Sequence, residues 1–223
     1  MKYQEVITGK FICRPNRFIA NVEINGEINT VHVKNTGRCR ELLVNGATVY
    51  LSVSQNPQRK TKYDLVGVQK GNRLINMDSQ IVNDVAFEYL SSLFPRGKIK
   101  RESKWGNSRF DFYIENGDEK IFVEAKGVTL ENDGIVSFPD APTERGVKHL
   151  RELSLAVKEG YSAYVLFIVQ MENVKYFTPN DITHKEFGDT LREVCRQGVK
   201  ILCIDSVVYK NGIIPNKEIE VKL

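Results

Sequence analysis

Long apolar runs are missing from this 223-residue chain. The longest, residues 161–169 (YSAYVLFIV), is about half the ~20 residues that a membrane-spanning helix requires, and the opening MKYQEVITGK has no apolar stretch of the kind that directs export. The expectation is a cytoplasmic protein with no membrane partner. Cysteine is scarce as well. Cys13, Cys39, Cys195 and Cys203 lie far apart, form no C-x-x-C pair and sit inside apolar segments, which argues against a disulfide scaffold or a zinc framework and suits a reducing compartment. Internal repeats and low-complexity linkers are absent, and the aromatic residues are not grouped as a sugar-binding platform would need. With 41% hydrophobic and 27% charged residues, disorder and collagen-like structure are excluded too.

What is present is unevenly distributed. Residues 1–80 carry 12 basic and 6 acidic side chains, while residues 81–223 carry 20 basic and 22 acidic ones. A basic first part joined to an acidic second part suggests that the first meets a polyanion and that the second keeps carboxylates for another purpose.

Hydropathy divides the chain at the same place. In residues 1–78, six short β-like runs alternate with turn signals, and Asn25-Gly26 supplies the positive φ angles of a two-residue hairpin. About five short strands with a basic surface suit a small closed barrel of the OB type. From residue 79 onward the pattern changes. Val82, Val85, Ala86, Tyr89, Leu90 and Leu93 recur at helical spacing, and the order that follows reads α-β-β-β-α-β-α-β. Gly160 and Gly198 stand just past the two later helices, where positive φ ends a helix. The expected architecture is α/β with an N-terminal all-β part: a barrel, then a mixed sheet flanked by helices.

The chemistry concentrates on two strands of the second part. Residues 109–115 and 120–126 flank a short Asn-Gly turn and should pair antiparallel. Alternation puts Glu124 beside Lys126 on one face and Asp111 on a face with Arg109 and Tyr113. If the register sets Asp111 opposite Glu124, two carboxylates and an ammonium converge. Paired carboxylates repel, and a divalent cation between them resolves the repulsion with the hard oxygen ligands that magnesium prefers. Magnesium or manganese is therefore the expected cofactor, with Lys126 orienting a water for attack on phosphorus. Glu88, on the preceding helix, is a candidate fourth member, its alternative being a solvated charge.

Candidates for phosphate contact are Arg14, Arg17, Arg38 and Arg40 in the barrel. In the second part they are Lys104, Trp105 and Arg109, then Arg145, Lys148 and His149 on the helix after the segment VTLENDGIVSFPDAPT. Trp105 offers a stacking surface among cations. None of these residues reads a base sequence.

The segments CRPNRFIANV, VKNTGRCREL, SRFDFYI, FVEAKGVTL and FPDAPTERGVKHLREL resemble the sugar fermentation stimulation protein A family over nearly the full length. The resemblance implies an OB-type barrel followed by a restriction-endonuclease-like, PD-(D/E)xK domain. It matches Asp111 to the motif aspartate, Glu124 and Lys126 to the ExK pair, and Glu88 to the acidic residue often found on the preceding helix. It also makes the backbone carbonyl of Ala125 a metal ligand. The proline of the motif is absent, since Phe110 precedes Asp111. The family is described as DNA-binding, which gives two expectations. One is a DNA-binding protein with metal-dependent nuclease chemistry and little sequence specificity, a homodimer being compatible. The other is a non-catalytic regulator of sugar (maltose-type) metabolism genes with an idle site.

Overall fold

The computed structural model describes every residue except Thr36 and Asn107. The turns expected at Thr36-Gly37 and Gly106-Asn107 each include one of these two and lie outside the described residues.

The first half is built from β1 (Val6–Asn16), β2 (Ile19–Ile24), β3 (Glu27–Val33), β4 (Thr48–Val53), β5 (Tyr63–Lys70) and β6 (Arg73–Asn76). Alternation carries Ala20, Val22 and Ile24 of β2 inward, and Asn25 and Gly26, at φ 53° and 85°, make the hairpin to β3. The strands run in the order β3-β2-β1-β4-β5-β6, and a parallel pairing of β3 with β5 closes the first five into an OB-like barrel.

The second half opens with helix α1 (Val82–Leu93), whose buried residues Val82, Val85, Ala86 and Leu90 are the apolar positions of the sequence pattern. It continues with β7 (Lys98–Trp105), β8 (Ser108–Asn116), β9 (Glu119–Val128), β10 (Leu130–Asn132), β11 (Ile135–Phe138), α2 (Glu144–Lys158), β12 (Ser162–Val169), β13 (Tyr176–Pro179), α3 (Asp181–Arg196), β14 (Lys200–Tyr209), β15 (Gly212–Glu218) and β16 (Glu220–Val221). The main sheet runs β15-β14-β12-β9-β8-β7 and is mixed, with β12 parallel to both β9 and β14. Helix α1 packs with Phe112, Ile114, Val123 and Leu166 in one hydrophobic layer. Helices α2 and α3 pack with Phe110, Phe122, Val165 and Phe167 in the other. Strand β9 is buried on both sides, as the centre of a covered sheet must be. Strand β7 is an open edge and carries Lys98, Lys100, Arg101 and Lys104. No described helix is long and apolar enough to cross a membrane.

Two expectations need correction. The segment after β9, where an Asn132-Asp133-Gly134 turn and a Phe138-Pro139-Asp140 break predict a loop without regular structure, instead contains β10 and β11, which pair and join β13 and β16 in a small separate sheet. The last helix, which the sequence pattern predicts over Gly188–Arg196, begins at Asp181 and is interrupted at His184 (φ −155°).

The halves are fastened at several points. Asn76 donates its N–H to the Gln170 carbonyl at 2.9 Å, and Gln170 Nε2 donates back to Asn76 Oδ1 at 2.9 Å. Lys70 and Arg73 reach Glu131 at 2.7 and 2.5 Å. Lys34 Nζ meets Asp78 at 3.2 Å, the Ser79 hydroxyl donates to the Lys34 carbonyl, and the Cys39 N–H donates to Asp140 Oδ2 at 2.9 Å.

Candidate active site

The ladder between β8 and β9 runs from Asn116 opposite Glu119 to Phe112 opposite Val123 and goes no further. Phe110 and Phe112, two residues apart, would share a face in a regular strand. Phe110 instead packs with Phe122 in the layer under α2, its ring 5.2 Å away, while Phe112 packs in the layer under α1. The strand therefore turns over at Asp111, and the unbroken alternation expected from Arg109 through Asp111 to Tyr113 does not hold. On β7, Glu102, which lies between the residues paired with Phe110 and Phe112, has a φ of 53°.

Where the ladder stops, the Asp111 side chain takes its place. Asp111 Oδ2 accepts the Ala125 N–H at 2.9 Å, and Oδ1 accepts from Asn83 Nδ2 at 2.9 Å. The N–H and C=O of one strand residue point to the same side, so the Ala125 carbonyl faces the same gap. Glu124, 3% exposed, accepts hydrogen bonds on Oε1 from Lys126 Nζ at 2.5 Å and from His149 Nδ1, whereas its Oε2 is buried with no partner. The His149 ring is fixed from its other side, because Nε2 accepts from Arg145 Nε at 3.3 Å. A neutral imidazole with its proton on Nδ1 satisfies both contacts.

The two carboxyls are tuned in opposite directions. Burial pushes Asp111 above the ordinary carboxylate range and the neighbouring Glu124 charge adds to it, outweighing the Ala125 N–H, Lys126 and Asn83. Burial also raises Glu124, but the His149 hydrogen bond and the Lys126 charge outweigh it and hold the carboxyl below its usual value. A buried oxygen without a donor beside a second, destabilised carboxylate is costly unless something positive completes it. Asp111, Glu124 and the Ala125 carbonyl are hard oxygen donors that fit a divalent cation. Lys126 stands beside them with a point charge able to orient a water or a phosphate oxygen.

Glu88 is not brought to this place. Five positions past Asn83 on α1, it lies ~140° around the helix at ~100° per residue, and it pairs with the N-terminal ammonium at 3.1 Å. Asn83 is the α1 residue that reaches Asp111. No local sequence signal marks it, because its partner is 28 positions away.

Another group of possible metal donors, Glu144, His184 and Glu186, lies within 4.8 Å. Here His184 Nδ1 accepts the Thr143 N–H at 3.3 Å, which leaves the ring proton on Nε2 facing Glu144, and Glu186 is paired with Arg151 at 2.9 Å. A protonated ring nitrogen has no lone pair for a metal. This cluster braces the start of α2.

The basic candidates divide by environment. The Arg14 guanidinium donates to the carbonyls of Arg17, Asn35, Gly37 and Arg38 at 2.6 to 2.9 Å, so it ties these four residues together and does not face a ligand. Replacing Arg14 with alanine strands those carbonyls and should lower stability by about 2–4 kcal/mol, read as a lower urea midpoint. Trp105 is half-buried and stacked on Phe110 at 6.0 Å, so one ring face is already used. Arg109 pairs with Glu102 at 3.4 Å and Lys148 with Glu152 at 3.8 Å, while Arg38, Arg40 and Lys104 are exposed. His149 is buried and serves Glu124. Arg17 and Arg145 remain. Both line a cavity of about 630 Å³ that also contains Asp111, Glu124, Lys126, Asn83 and Asp140.

Comparison with known proteins agrees with this architecture. Residues 12–77 match the SfsA N-terminal OB domain, and residues 77–212 match the sugar fermentation stimulation protein RE domain. Sugar fermentation stimulation protein homologs from Clostridium beijerinckii and Desulfitobacterium hafniense are each 58% identical. The alignments cover 96% of both chains for the first, and 100% of this chain and 99% of the relative for the second. The solved structure of Pyrococcus furiosus SfsA in complex with Ca2+ superposes with a TM-score of 0.89 at 30% identity, covering 100% of this chain and 98% of that one. The chain belongs to the sugar fermentation stimulation protein (SfsA) family.

Proposed function

We propose that this protein is a divalent-metal-dependent phosphodiester hydrolase acting on DNA, with Asp111, Glu124 and the Ala125 carbonyl holding magnesium or manganese. The observation that carries the reading is the unpartnered Oε2 of Glu124, buried on a carboxylate that neighbours Asp111 and whose other oxygen is held by Lys126. A Ca2+ complex of a family member supports an oxygen-ligand site of this kind.

A bound divalent ion would polarise a phosphate oxygen and make its own water a better nucleophile. The protein supplies the rest. Asn83 and the Ala125 N–H fix both oxygens of Asp111, and His149 and Lys126 fix one oxygen of Glu124, so the other is presented without rotamer freedom. The Lys126 ammonium orients the attacking water and offsets charge developing on phosphorus. Arg145, at the cavity wall, contacts a flanking phosphate.

The test combines calorimetric titration of Mg2+ and Mn2+ into the protein with incubation of end-labelled DNA. One divalent ion bound per chain, and cleavage that stops on chelation, are the expected results. DNA binding with no cleavage in either metal would favour the regulatory reading, in which the carboxylates are idle.

A further inference from the structure

The carboxylates do not lie on an open face. The barrel contributes Arg17, Asn35 and Gly37 to the same cavity that Asp111, Glu124 and Lys126 line, so the barrel stands over the proposed reaction centre. Its overhanging segment is pinned on both flanks. On one side Lys34 is held by Asp78 and Ser79. On the other, Asp140 Oδ2 accepts the Cys39 N–H, and a Cβ added at Gly37 would lie 2.7 Å from that oxygen. Arg14 ties Asn35, Gly37 and Arg38, through their carbonyls, to the Arg17 carbonyl in the β1–β2 turn. Such a roof does not lift without breaking these bonds. A duplex must bring two backbones and a stack of base pairs to its cutter, whereas one flexible strand can enter a cavity roofed in this way.

Beside the cavity-lining Arg17 stands a feature suited to a single strand. Phe18, at the β1–β2 hairpin tip, is 47% exposed and belongs to no core cluster. The guanidinium of the cavity-lining Arg17 sits 5.0 Å from its ring centroid. A cation for phosphate beside an exposed ring for a base is how unpaired nucleic acid is gripped without sequence readout, and hairpin loops of OB barrels are common places for it.

We infer that the cavity between the barrel and the α/β domain takes one unpaired strand of nucleic acid, with Phe18 stacking on a base and Arg17 on its phosphate. The inference deepens the hydrolase reading and rests on it only for the polymer being a nucleic acid. It commits to unpaired segments, such as ends, flaps or gaps, as the substrate.

The experiment measures fluorescence anisotropy of a labelled deoxyoligonucleotide, alone or annealed to its complement, with the full-length protein in chelator so that no cleavage intervenes. The single strand should bind at least about tenfold more tightly than the duplex, and Phe18→Ala should weaken single-strand binding about tenfold with little effect on the duplex. Phe18 is exposed, so the variant folds, and its unchanged melting temperature serves as the control. Equal affinity for duplex and single strand, or an unchanged affinity in Phe18→Ala, overturns the inference. If the strand preference and its Phe18 dependence hold while no metal supports cleavage, the hydrolase reading falls and the single-strand site stands. Binding to neither form overturns the inference, while the hydrolase reading is decided by the cleavage assay with metal.

Discussion

Replacing Glu124 with glutamine should reduce DNA cleavage by about 10³-fold or more and abolish divalent-ion uptake. Glutamine keeps the volume and one accepting oxygen for His149 and Lys126. It puts a neutral amide in place of the unpartnered Oε2 of a carboxylate that neighbours Asp111. The transition-state stabilisation lost with one charged ligand is of the size measured when a single pre-organised group is removed. Lys126→Met separates the roles. It should leave metal uptake within a few-fold of the parent and still lower turnover by about 10²-fold or more, because the ammonium acts on water and phosphate and not on the ion. Calorimetry and single-turnover cleavage on the two variants read these outcomes. Wild-type cleavage by Glu124→Gln would move the chemistry elsewhere in the molecule.

The second large effect concerns Glu131, which is 5% exposed and accepts hydrogen bonds from Lys70 at 2.7 Å, Arg73 at 2.5 Å and the Gly134 N–H at 2.6 Å. Burial raises its carboxyl, but these donors win and hold it at about 2, below its ordinary 4.5. A carboxyl depressed on folding stabilises the native state fully above its unfolded value, and that contribution is lost as pH falls through the folded one. Glu131→Ala should cost about 3 kcal/mol at neutral pH, lowering the melting temperature by roughly 6–12 °C. The wild-type advantage should hold above pH 4.5 and close as pH falls toward about 2. A gap that stays constant across that range would mean that packing, not charge, is what the residue supplies.

Much of this site was legible because it depends on short-range pattern. Glu124 and Lys126 are two residues apart on one strand, and the short turn to the preceding strand placed Asp111 near them. The barrel was legible because inward residues alternate cleanly and Asn25-Gly26 marks a hairpin. What sequence could not show depends on distant or backbone partners. Arg14 reads as surface charge until four carbonyls are seen around it. Glu88 and Asn83 share a helix, and only the helix's rotation against β8 decides which one reaches Asp111. The strands β11 and β13 are four residues each, too short for a periodicity, and pair in parallel across a gap that contains α2 and β12.

Strand β7 leaves one rim of the main sheet without a neighbour, and four of its eight residues are Lys98, Lys100, Arg101 and Lys104. Arg101 is paired with Asp84 at 2.5 Å and Lys100 with Glu115 at 3.5 Å, so two copies meeting rim to rim would bring together chiefly Lys98 and Lys104 before any backbone hydrogen bond could form. The positive charge on this border therefore guards against sheet-to-sheet association between molecules, and so against runaway assembly, whether or not it ever touches a phosphate.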